Sequence, residues 1–335
     1  MNGSKSLTSG ITSENGINYL NIGLMVLSLI AAYILPFEVF LFSYAVLGPL
    51  HYLTEISWLD KKNYFIKSKR DIWLFVVLVV LITIGMFNGG SKINHYLGSI
   101  LFSGFVYALI ILFVEKTALK LLLIFLTFIA SLIFNVNNYP DVIFLLFAVW
   151  LPTIIHVFIF TGAFILYGAL KTKSVSGLIS LGVFILCAVS FFVYTPDGLP
   201  SFVSEYAQKA YYNFKVLNTT LYRLFGYGEM GFHDQTMFSN ENSVKIMRFI
   251  AFAYTYHYLN WFSKTSVIKW NQVSKTRMSV IVGLWILSVV LYAVSYEVGF
   301  YALFLLSLLH VFFEFPLNHH TFIGIGKELK AILRK

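Results

Sequence analysis

A single cysteine, Cys187, among 335 residues leaves no material for a disulfide framework or a cysteine metal cluster. Charge is almost as scarce. Asp, Glu, Lys and Arg make up 12% of the chain, about half the roughly 25% of a soluble domain. Acidic residues are the rarer sign, 15 against 24 basic, for a net charge of +9. These cations fall between apolar runs and form no basic face on a polar module, which excludes nucleic acid as a partner and points to a membrane surface. Three further features are missing. No repeat period is visible, GIGKEL near the end lacks the spacing of a phosphate loop, and the polar residues 1–17 (MNGSKSLTSGITSENGI) have no secretory-signal pattern.

What fills the chain is apolar: 58% hydrophobic residues, with 34 Phe and 21 Tyr. The expected fold class is all-α, a polytopic membrane helical bundle. A crossing helix needs about 20 apolar residues, and that ruler gives ten transmembrane helices, at roughly 18–35, 37–59, 72–88, 97–114, 119–135, 142–170, 176–195, 244–262, 278–296 and 299–317. Pro36 separates the first two as a tight hairpin; the sixth is overlong and must tilt or leave the bilayer. Residues 1–17 read as a polar tail, 18–317 as the transmembrane domain and 318–335 as a basic tail.

With the amino terminus inside, 18 of the 24 Lys and Arg residues fall on the cytoplasmic side, so both termini are expected there. The largest outer segment, 196–243, interleaves aromatic residues with Lys209, Lys215 and Arg223. It reads as an interfacial amphipathic helix, either a cap or a gate over a lipid entrance.

Ionisable side chains inside apolar spans are expensive and mark function. Of the eight histidines, His95 and His233 fall in outer connections, and His319 and His320 follow Pro316 at an inner helix end. The other four, His51, His156, His257 and His310, lie in the carboxy-terminal halves of spans 2, 6, 8 and 10, all running from outside to inside. At about 1.5 Å rise per residue, His51, His257 and His310 share one depth, and His156 joins them if the bilayer ends near Tyr167. Two carry a carboxylate one turn on, His51 with Glu55 and His310 with Glu314. Such nitrogen and oxygen donors suit iron, zinc or manganese. The glutamates serve either as ligands or as acceptors that fix an imidazole tautomer. Four histidines used singly, as hydrogen-bonding glue between helices, are the plainer alternative; a haem held by two of them is another. Asn260 either orients His257 or caps its helix, Asp60 belongs with the basic loop after it, and Pro316 offers a kink that would fold His319 or His320 back as a ligand.

An all-helical bundle with intramembrane histidines, opening with Pro49-Leu-His51-Tyr-Leu-Thr-Glu55, resembles the Brp/Blh membrane proteins, the β-carotene 15,15′-dioxygenases of bacteria and archaea. The likeness is one of layout. Tyr52 and Glu55 stand where that family has glycine and aspartate, and the family's late pair of histidines one turn apart is missing, since Trp261 follows His257 and Glu314 follows His310 at that spacing. The resemblance implies a non-haem iron held by His51, with His156, His257 and His310 as the later contributors and Glu55 as the acid; by their spacing from His51 and His310, Glu55 and Glu314 are the catalytic candidates. It also implies an apolar, membrane-soluble substrate such as a carotenoid, another polyene or a lipid, and a location in a bacterial inner (cell) membrane. A proton-coupled transporter using the same side chains as a relay, and a structural or assembly membrane protein, are the competing classes.

Overall fold

The computed structural model describes residues 13–88, 96–138, 140–196, 203–231 and 235–334; His95 and His233 lie outside them. The described residues are helical with no strand. The long helices are α1 (Glu14–Ile34), α2 (Pro36–Lys61), α3 (Ile72–Phe87), α4 (Leu97–Phe113), α5 (Thr117–Asn138), α6 (Phe144–Thr172) and α7 (Val175–Val193). Two short helices, α8 (Glu205–Ala210) and α9 (Lys215–Leu224), precede α10 (Glu241–Ser263), α11 (Lys275–Val294) and α12 (Tyr296–Leu333). Eight of these are long and apolar enough to cross a membrane; α4 is apolar but shorter, and α10 is long but less apolar.

Burial sorts them into an inner and an outer set. Windows of α2 and α12 are 61% buried, against 11% for α5 and 17% for α11. The outer helices present Leu, Val, Ile and Phe to their surroundings, the pattern of helices whose solvent is lipid. Around α10, nearly every side chain from Ile246 to Tyr258 is buried. It packs against α1, α2, α6 and α7, while α12 packs against α2, α3, α4 and α6. Hence α2, α6, α10 and α12, the four helices that carry His51, His156, His257 and His310, enclose one interior between two apolar cores.

Side-chain contacts tie together the connections expected on one side. Asp60 pairs with Lys69 at 2.5 Å and Arg277 at 2.8 Å, as its assignment to the basic loop anticipated; Lys67 meets Glu115, Asp71 meets Lys120, and Glu14 accepts from Thr172. The far end is closed by other contacts, among them Thr195 to Glu241 and Arg248 over the Tyr33 ring. The segment before α10 does not form one continuous helix. It is two short helices joined by a 3₁₀ turn, Tyr211–Phe214, and its Tyr211, Lys215, Leu217, Asn218 and Leu221 side chains are buried. Asn218 and Ser243 hydrogen-bond each other, fastening this cap to the start of α10.

Two helices depart from regular winding. Proline removes a backbone donor and crowds the carbonyl four residues back; here the chain answers with wide π-type turns at Ser43–Leu47, before Pro49, and at Phe144–Phe160, around Pro152. Thr153 leaves helical geometry altogether, at φ −118° and ψ −105°, and its hydroxyl donates to the Val149 carbonyl. Pro316, expected to kink the last helix, does not end it. The helix continues through the expected tail to Leu333, held in part by Gly324, where an added Cβ would fall 2.4 Å from the Tyr167 ring.

Candidate metal centre

The first wide turn ends four residues before His51, and the second contains His156, four residues after Pro152. π-type turns recur at functional sites because they re-aim the side chains beyond them. Close approach of α2 to α10 is secured at Gly48, whose absent Cβ leaves room for the Tyr258 hydroxyl; an alanine Cβ would lie 3.2 Å from it. α10 therefore delivers His257 directly against His51.

The four expected histidines meet. Their rings form a closed circuit, with centroids 4.7 Å apart for His51 and His257, 4.8 Å for His257 and His156, 5.0 Å for His156 and His310, and 5.4 Å for His310 and His51. Nε2 of His51 is 3.1 Å from Nε2 of His257, and Nε2 of His156 is 3.1 Å from Nε2 of His310. Metal–nitrogen bonds of about 2.0–2.1 Å place two ligand nitrogens about 2.9 Å apart at a right angle and about 3.4 Å apart at a tetrahedral one. The observed spacing lies between. None of these four histidines, nor Glu55 or Glu314, is more than 6% exposed.

Hydrogen bonds between neutral imidazoles would also give 3.1 Å, but they do not explain Glu55. Its Oε2 lies 3.1 Å from the same His51 Nε2 that faces His257, and one ring nitrogen carries at most one hydrogen. That carboxylate oxygen is buried without a hydrogen bond among the described residues, an arrangement costing about 1–3 kcal/mol or more for a charged group. A cation shared by His51, His257 and Glu55 removes the conflict. Two overlapping triplets, His51 with His156 and His257, and His51 with Glu55 and His310, bring their ligand atoms within 4.8 Å of one another. A buried cluster of nitrogen and carboxylate donors able to hold a metal ion is therefore present.

Glu314 sits differently. Its Oε2 is 3.0 Å from His156 Nδ1, on the far side of that ring from the His156–His310 contact and off the line of the N–H, and Asn318 reaches the same oxygen at 3.5 Å. The two carboxylates are thus unequal: Glu55 faces the convergent nitrogens, Glu314 the outer edge of one imidazole. His319 donates to or accepts from no member of the cluster; its Nε2 contacts the Phe105 carbonyl, and that of His320 the Phe65 carbonyl. Neither folds back. Asn260 bonds Tyr256 and not His257.

One positioning residue is not apparent from the sequence. Thr161, five residues after His156 on α6, places its hydroxyl 2.8 Å from His257 Nδ1. Accepting from Nδ1–H, it leaves the Nε2 lone pair free to bind metal, the usual role of an outer partner. Thr161→Val is expected to weaken metal binding about 10-fold, with Thr161→Ser close to wild type; competition against a chelator of known affinity measures both.

A cavity of about 400 Å³ adjoins the cluster and includes His156 and His310 in its wall. Elsewhere its lining is mainly Leu, Ile, Val, Phe and Met, and it extends to the end where α4, α6 and α12 begin. There Phe214 and Leu217 of the cap border it. Tyr44, Tyr254 and Tyr258 supply hydroxyl groups along one side. Compared with protein-family models, with curated proteins and with solved structures, the chain matches none.

Proposed function

We propose that this chain is an intramembrane, histidine-ligated non-haem iron oxygenase acting on an apolar, membrane-soluble substrate such as a carotenoid or another polyene. The observation that carries the reading is the convergence of four buried imidazoles and Glu55 beside an apolar cavity that shares His156 and His310 with them. His51, His156, His257 and His310 are the metal ligands, Glu55 completes the set, and Glu314 and Thr161 aim His156 and His257. A bound iron would supply one-electron redox and Lewis-acid chemistry at a position left open beside its His and carboxylate ligands. The chain's own part is to hold a long apolar molecule in the cavity, to exclude water with the cap, and to keep the carboxylates close to the imidazoles. The resemblance of Pro49, His51 and Glu55 to the Brp/Blh pattern favours polyene cleavage.

In this reading the bundle makes ten crossings. α4, with 17 residues, spans about 26 Å and α10, with 23 residues, about 34 Å. The polar content of α10 is tolerated because its neighbours, and not lipid, surround it. The basic connections then face the cytoplasm of a bacterial cell, with both termini.

The test is oxygen uptake by iron-loaded protein in detergent with β-carotene and with shorter polyenes. Loss of polyene absorbance should be accompanied by stoichiometric oxygen consumption, and His310→Ala should abolish both. An iron-replete wild type that consumes no oxygen with any polyene or acyl lipid would sink the oxygenase assignment.

A further inference from the structure

A second cavity, of about 310 Å³, lies at the end of the bundle where α1 begins, between α1, the end of α6, the start of α7 and the end of α10. It does not touch the four clustered histidines. Its polar lining is built around Tyr256, whose single hydroxyl hydrogen is shared between the side-chain oxygens of Asn21 at 3.3 Å and Asn260 at 3.4 Å. The Asn21 amide nitrogen donates to the Ile17 carbonyl, and its oxygen also accepts from Ser263. The amide nitrogen of Asn260 has no partner among the described residues.

Lys264, just past α10, also lines this cavity, and its ammonium makes no hydrogen bond or ion pair among the described residues. The side chain is half-buried, and desolvation pushes that group down to about 8. The contrast with Lys120 is direct, because that buried ammonium is matched by Asp71 at 2.6 Å. Glu14 is the one acid bordering the cavity among the described residues; it is exposed and engaged by Thr172. A cavity with an unmatched ammonium and a spare amide donor suits an anion with several acceptor oxygens. With a carboxylate at its rim, it suits a single negative charge better than a double one.

The source of that anion follows from the walls. Ile17, Phe164, Ile165 and Val267 flank the polar groups, and the adjoining outer faces of α1 and α7 expose Leu20, Leu27, Leu178 and Ile185. Basic pockets between membrane helices near the interface are where lipid headgroups bind. We propose that Lys264 and Asn260 form a site for the monoanionic phosphodiester headgroup of a membrane phospholipid, whose acyl chains run along α1 and α7. A lipid bound there would clamp the carboxy-terminal end of α10, the helix that carries His257.

The experiment is thermal unfolding of the full-length, metal-loaded protein in detergent with three probes: a short-chain phosphatidylglycerol, the diacylglycerol of the same chains, and soluble glycerophosphoglycerol. The phosphatidylglycerol is expected to raise Tm by several degrees and the other two to leave it nearly unchanged. Lys264→Met should lose the response, Lys264→Arg retain it, and Lys327→Met, away from the cavity, respond like wild type. If Lys264→Met does not fold, native mass spectrometry of wild type decides: one phosphatidylglycerol retained in preference to diacylglycerol supports the site, and equal retention overturns it. Equal shifts with diacylglycerol, an equal shift with the soluble diester, or a Lys264→Met response matching wild type would also overturn it.

Discussion

Alanine at His51 or His257 is expected to take the purified protein from about one equivalent of bound transition metal to almost none. The two Nε2 atoms are 3.1 Å apart; His51 belongs to both ligand triplets and meets Glu55 Oε2 at the same distance, and His257 belongs to the triplet with His51 and His156. Losing an outer partner such as Thr161 costs metal affinity about 10- to 100-fold; losing a donor nitrogen should exceed the upper end of that range. Stability should follow by mass action, because a ligand held at 100 times its Kd contributes about 2.7 kcal/mol. A strong chelator should thus lower the Tm of wild type and leave His51→Ala unmoved. His320→Ala is the control, since His320 lies exposed at the surface, with its ring nitrogen on the Phe65 carbonyl and its ring against that of Phe65. Elemental analysis reads the outcome and identifies the metal: iron supports an oxygenase, zinc favours hydrolytic or structural roles. Wild type purified without metal, and not stabilised by any divalent ion, would remove the basis for the centre.

The membrane bundle was legible because apolar length is a one-dimensional property, and the centre was legible because four histidines shared a depth. A common depth was expected from the topology, and the ring contacts among His51, His156, His257 and His310 bring the four together. The spacing of Glu55 and Glu314 from their histidines was equally visible, yet it predicted equal roles. The wide turn around Pro152 rotates His156 so that its Nδ1, and not that of His310, meets Glu314; no heptad count reveals such a rotation. Thr161 escaped notice because a threonine in an apolar span ordinarily bonds the carbonyl one turn back, as Thr83 does with Val79. That α12 runs on past the expected span end at 317 has a related reason. Proline weakens a helix locally by about 3 kcal/mol, but Phe312, Phe315 and Pro316 itself are buried against α4 and its neighbours, and packing outweighs the missing bond. Segment 196–243 has the composition of an interfacial helix, and only its contacts reveal that Lys215 and Asn218 point inward.

Lys120→Met should destabilise the protein more than any other single change outside the metal centre, by about 3–5 kcal/mol. Lys120 and Asp71 are 3% and 7% exposed and meet at 2.6 Å. Removing the ammonium leaves a carboxylate with no countercharge at a site closed to water, and that desolvation penalty, not the attraction lost, sets the magnitude. The pair also has a mechanical role: α5 is the least buried of the eight apolar helices, and Lys120 near its start is joined to Asp71 immediately before α3. A second ion pair on the same side, Lys67 with Glu115, is the internal comparison. Its side chains are 56% and 74% exposed, so water screens it and Lys67→Met should leave Tm unchanged within error. The double variant Lys120→Met/Asp71→Leu separates the causes, because replacing both charges by apolar groups removes the stranded carboxylate. It should recover most of the Tm lost by Lys120→Met alone. Equal Tm values for the single and double variants would show that the lost stability lies in the packing of the lysine stem and not in the buried charge.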